Sequence, residues 1–188
     1  MKKLLICIMA ALLLTGCGSK NPADNSEDQS KTKQGTEENA AKEATSKDVV
    51  KPAPGFEFDY NGTAIQMNTD ATSVLKALGD PQDYFEAKSC AFDGMDKTYY
   101  YSGIELTTYP NGDKDYISSL YFKDDSVSTK EGIYIGSTLE EMLAAYGDDY
   151  KGENGSYTYT KGESSLMFIV ENDEVTSITY LAVVEGLQ

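Results

Sequence analysis

At 188 residues the chain has room for one domain or two very small ones, and 31 acidic against 16 basic residues leave a formal net charge of −15. It contains no His, no Trp and no Arg, so the commonest general base, the commonest metal ligand and the bidentate anion clamp are all missing. This balance argues against nucleic acid and anionic lipid headgroups as partners and against the usual catalytic sets; carboxylate or lysine chemistry stays open.

The chain opens with Lys2 and Lys3 and an apolar run from Leu4 to Leu14, too short for a permanent span, which needs about 20 residues. The run ends in Leu14-Thr15-Gly16-Cys17, which resembles the lipobox of bacterial lipoproteins. The resemblance implies a signal peptide over 1–16 and acylation of Cys17, with the membrane reached only through that anchor. It also implies a place on the extracytoplasmic face of the cell membrane, at the cell surface. From Gly18 to Pro54 there is almost no large apolar side chain, so this segment is expected to be a disordered tether. As a flexible coil it would span roughly 30–35 Å.

The folded domain is expected over 55–188, where eight lysines face 24 acids, a net of −16. Phe56 to Tyr60 and Thr63 to Met67 read as two strands joined by the tight turn Asn61-Gly62. Thr69 is the expected cap of a first helix with the apolar stripe Ala71, Val74, Leu75 and Leu78, stopped by Gly79. Three strands follow, Thr98–Tyr101, Ile104–Tyr109 and Tyr116–Lys123, while the stretch between Gly79 and Tyr99 carries no helix pattern. Ser137-Thr-Leu-Glu140 reads as the capping box of a second helix with the stripe Leu139, Met142, Leu143 and Tyr146, stopped by Gly147. Strands at 156–160, 165–170 and 175–183 complete the chain.

Residues 65–80 and 133–148 align at a constant offset of 68, with Ile65/Ile133, Leu75/Leu143, Ala77/Ala145, Gly79/Gly147 and Asp80/Asp148 identical. The strands that follow align at an offset of 58, Ile117 to Phe122 on Val175 to Tyr180. The expected class is therefore α+β: two tandem helix-plus-β-meander repeats, about 65–123 and 133–183, with the helices packed on one face of an antiparallel sheet. On the two helix-glycine motifs and this topology, residues 65 to about 182 resemble the beta-lactamase inhibitor protein-like fold, shared with the small lipoprotein of the outer-membrane assembly complex. That resemblance implies a sheet face left open to proteins. The runs SCAFDGMDKTYYY and TTYPNGDKDYISSLYF are also similar to lipoproteins of gut-type Gram-positive bacteria.

Period-two alternation places Tyr99, Tyr101, Ile104, Leu106, Leu120, Phe122, Tyr157, Leu166, Phe168, Ile178 and Tyr180 on the core face. The opposite face carries Tyr100, Thr107, Tyr109, Tyr121, Met167, Ile169 and Leu181, and this is the candidate binding surface. Asn111-Gly-Asp113-Lys-Asp115 resembles the start of a calcium loop but has Tyr116 and Phe122 where that loop needs Gly and Glu, so it reads as a hairpin. Asp80 and Asp148 read as turn residues and Cys90 as a small buried apolar side chain. No catalytic residue, metal site or cofactor is expected. The function these readings favour is a non-catalytic, lipid-anchored module binding a protein or envelope component. A small-molecule- or cation-binding accessory lipoprotein is the alternative, and a carboxylate-based hydrolase a more distant one.

Overall fold

The computed structural model describes residues 54–187. The signal segment expected over 1–16, the acylation expected at Cys17 and the tether expected up to residue 53 fall outside the described residues. A hairpin comes first, β1 (Glu57–Tyr60) and β2 (Thr63–Gln66), then the short helix α1 (Thr72–Leu78). Four strands follow: β3 (Asp83–Lys88), β4 (Met95–Tyr100), β5 (Ile104–Asn111) and β6 (Lys114–Phe122). Helix α2 (Leu139–Tyr146) leads into β7 (Ser156–Lys161), β8 (Ser164–Glu171) and β9 (Glu174–Ala182). The hairpin is a separate two-stranded sheet, and the other seven strands form one antiparallel sheet in the order β3-β4-β5-β6-β9-β8-β7.

The expected α+β class, with two equal repeats and a helical layer covering one sheet face, is thus corrected to a mostly-β fold. The described residues hold nine strands and two helices of only 7 and 8 residues. Each helix is about 10–12 Å long, whereas seven strands span roughly 29 Å. Each buries a single side chain fully, Val74 in α1 and Met142 in α2. The halves also differ: α1 is followed by four strands and α2 by three, and residues 133–136 form no strand.

The centre of the core face is covered instead by the β1–β2 hairpin. Asn61 (φ 52°) and Gly62 (φ 83°) make its two-residue turn, the left-handed pair that matches strand twist. Alternation then directs Phe58 and Ile65 inward, paired across the hairpin and almost fully buried. The Phe58 ring lies 5.0 Å from Phe122 and 5.8 Å from Tyr180, on the two strands that join at the middle of the sheet. The core expected from alternation is the core observed: Ile104, Leu106, Leu120, Phe122, Leu166, Phe168, Ile178 and Tyr180 are buried, and Tyr99 and Tyr157 pack partly buried against them.

The two similar stretches share one hydrogen-bond pattern. Asn68 N–H donates to Ile117 O (2.8 Å), Ile117 N–H to Thr69 O (2.9 Å) and Ala71 N–H to Asp115 O (2.9 Å). Gly136 to Val175 O (2.8 Å), Val175 to Ser137 O (2.8 Å) and Leu139 to Asp173 O (2.9 Å) match them bond for bond. Each stretch therefore docks on the first residues of a central strand. Beyond each docked stretch the strand carries a bulge, with Ser118 extra in β6 and Thr176 extra in β9. The bulge rephases alternation so that Ile117 and Val175 also face the core. At the helix ends, the carbonyls of Gly79 and Gly147 accept hydrogen bonds from the hydroxyls of Tyr101 (3.3 Å) and Tyr159 (2.7 Å).

The helix starts differ from expectation by local geometry. α1 begins after Ala71, and Thr69 is spent on β6 and on Gln66 O, so Asp70 supplies the acceptor for the Thr72 N–H at 3.0 Å. In α2 the capping box is one residue later than read: Thr138 accepts from Glu141 N–H, and the Glu141 carboxylate accepts from Thr138 N–H at 2.8 Å.

Candidate binding face

The face of the sheet opposite the core is built from a row of small hydroxyl side chains. Strand register aligns Thr98, Thr107, Ser119, Leu181, Ser165 and Thr160 across β4, β5, β6, β9, β8 and β7. Thr107, Ser119, Leu181 and Ser165 of this row line a groove of about 490 Å³. Of the seven residues nominated from sequence, Thr107, Tyr109, Met167 and Leu181 line it.

The other three share the face but not the groove. Register puts Tyr100 and Tyr121 on either side of Glu105 in the next row, and Ile169 between Ser156 and Ser177 at the far end of β8. Tyr121 is exposed, and the Lys123 ammonium lies 5.8 Å from the centre of the Tyr100 ring.

Tyr109 reaches the groove with little surface free. It is 3 % exposed, its ring lies 5.0 Å from Phe92, and its hydroxyl donates to Asn68 Oδ1 at 2.6 Å. Asn68 in turn donates from Nδ2 to Glu163 at 2.7 Å, tying the hairpin lead-out to the β7–β8 turn. Burial, then the neighbouring Tyr116 and Glu163, push the Tyr109 hydroxyl pKa up. It is a neutral wall of the groove.

Seven lining residues were not nominated from sequence, Ser118, Ser119, Thr158, Ser165 and Ala182 among them, and the other two, Asp96 and Leu187, lie outside the strands read from sequence. Asp96 is on β4, two and four residues before Thr98 and Tyr100, and alternation would have placed it on this face had the strand been started at Met95. Its Oδ1 is inaccessible and has no hydrogen-bond partner among the described residues. Leu187 lines the groove from beyond β9, where no periodic signal points to it.

The remaining candidates fall elsewhere. Asn111 to Asp115 form the β5–β6 hairpin, and Asp115 is held by Lys97 at 2.7 Å, as suits a structural turn. Asp80 and Asp148 are exposed beyond their helix-stop glycines. Cys90 is corrected from buried to exposed: in the loop after β3 it is Ser89 that turns inward, its Oγ accepting from the Ala91 and Phe92 N–H groups. Among the described residues no three His, Cys, Asp or Glu side chains group as a metal site, and no helix is long and apolar enough to cross a membrane.

What the groove offers chemically is recognition: hydroxyl donors and acceptors on its floor, with Met167, Leu181 and Leu187 supplying apolar contact. No protein-family model matches the chain, and no curated protein or solved structure is significantly similar to it.

Proposed function

We propose that the chain is an extracytoplasmic lipoprotein, anchored to the cell membrane through Cys17, whose β domain binds a protein or envelope component non-catalytically across the open sheet face. The observation that carries this reading is the groove itself: small hydroxyls beside Met167 and Leu181 on its floor, on a face that β1–β2 and the helices do not cover. Such a surface combines apolar area with hydrogen bonding that water can also satisfy, as non-obligate interfaces do. The tether between Cys17 and the domain lets this face reach partners tens of ångströms from the bilayer.

The test uses a Cys17→Ala chain, which cannot be acylated at position 17 and is purified in detergent. Bound to purified envelopes, this form is retained, and adding Met167→Arg reduces retention about tenfold. Equal retention of both forms contradicts the open face as the binding surface; continued acylation of the Cys17→Ala chain contradicts the anchor.

The groove volume also favours a second reading, a small-molecule-binding accessory lipoprotein, because about 300–1,000 Å³ is the usual range for ligand sites. A metabolite that raises the melting temperature of wild type but not of Met167→Arg would select it.

A further inference from the structure

We propose that β3 is a strand-addition site for an extended, lysine- or arginine-bearing segment of another protein, separate from the groove. β3 is an edge strand, hydrogen-bonded to β4 alone among the described residues. All six of its residues are exposed, including two aromatics, Phe85 at 59 % and Tyr84 at 43 %.

The contrast with the other edge of the same sheet is what gives β3 its meaning. Beyond β7, Lys151 N–H donates to Thr158 O at 2.9 Å and Thr158 N–H to Lys151 O at 2.7 Å, so the chain covers the middle of that edge. Gly152 makes the closure possible: with φ at 137°, a Cβ there would sit 2.1 Å from Ser156 O. Proteins cover or disrupt edges because unpaired backbone groups template another strand. Here one edge is covered at its middle, and the other presents a regular six-residue strand without Pro or bulge.

The side chains of β3 fit an incoming strand on both faces. Register places Phe85 beside Thr98 on the open side, and Tyr84 beside Tyr99 on the other. Main-chain pairing would supply affinity, and these two rings would flank alternate side chains of the guest. Charge selects the guest. Asp83 and Glu86 outnumber Lys88 on β3, Lys97 is already held by Asp115, and residues 55–188 carry a net of −16. A second copy of the chain would bring the same negative field, whereas a basic segment is drawn in.

The experiment uses the full-length chain and a nine-residue peptide alternating Val or Thr with Lys, read by titration and by amide hydrogen exchange. A twin peptide carries N-methyl groups on alternate amides, which keeps charge and apolar surface but removes one row of donors. The expected result is binding of the first peptide with slowed exchange over 83–88, about tenfold or greater loss for the N-methylated twin, and weakened binding to Phe85→Thr. Equal affinity for both peptides, no binding, protection confined to the groove strands, or self-association of the chain through 83–88 would each overturn the proposal. Because protection is located by segment, failure here is distinguishable from failure of the open face, which is read by envelope retention.

Discussion

Phe58 tests whether the hairpin is what closes the core. Its side chain is 1 % exposed, and its ring meets Phe122, Tyr180 and Tyr60 at 5.0, 5.8 and 6.3 Å. A buried phenylalanine removes about 150–250 Å² from water, which at about 25 cal/mol/Å² is about 4–6 kcal/mol for the whole side chain. Alanine keeps part of that, but truncation leaves a cavity against two central strands that are fixed by their own ladder. The expected cost of Phe58→Ala is therefore about 3–5 kcal/mol. Urea unfolding followed by tyrosine fluorescence, with 14 tyrosines and no tryptophan to interfere, reads this directly. With an m-value of about 2 kcal/mol/M, the midpoint falls by about 1.5–2.5 M. Phe85→Ala, on the exposed edge, is the control and should change stability by no more than about 0.5 kcal/mol. A Phe58→Ala cost below about 1 kcal/mol, or equal costs at the two positions, would refute the placement of the hairpin over the sheet centre.

Two further outcomes follow from charge. The Lys114 ammonium, with the hydroxyl and N–H of Thr72, holds the Asp70 carboxyl well below the usual carboxylate range. Its contribution to stability is present above the unfolded-state value of about 3.9 and is lost as pH falls below it, so Asp70→Asn should flatten the acid limb of stability against pH while leaving the limb above pH about 5 unchanged in slope. At the other extreme, burial raises the hydroxyls of Tyr146 and Tyr180, and for Tyr146 the donated hydrogen bond to Glu131 at 2.5 Å adds to it. These groups favour the folded state below the unfolded tyrosine value of about 10 and cease to as pH rises above it. Absorbance at tyrosinate wavelengths should show these two ionising only with unfolding.

The sheet was legible in the sequence wherever a strand is half-buried. Ile104 and Leu106 alternate with the polar Glu105 and Thr107 because one face meets the hairpin and the other meets water. β3 was invisible for the same reason: Asp83 to Lys88 bury nothing, so the residues carry no periodicity although the backbone is fully paired with β4. The bulges at Ser118 and Thr176 were equally silent, since a one-residue insertion shows only when both strands of the pair are seen together. Sequence similarity between 65–80 and 133–148 was read as a helical layer. What it encodes is narrower, a docked lead-in and a glycine whose carbonyl meets a tyrosine. At the candidate face, the direction of Thr107, Met167 and Leu181 followed from alternation, whereas the groove depends on the register that brings Thr107, Ser119 and Ser165 of three strands into one row. Tyr109 shows the limit of such reasoning, because its hydroxyl is committed to Asn68, 41 residues earlier in the chain.

The central claim is that partners meet the domain on the open face of the sheet. A photo-activatable residue at Thr107 or Met167, in the full-length chain expressed in its own cells, tests it most directly, with Lys76 on the exposed side of α1 as the reference position. The account predicts a discrete adduct with one envelope component from Thr107 and Met167 and none from Lys76. Adducts of equal yield at all three positions, or at Lys76 alone, would contradict it.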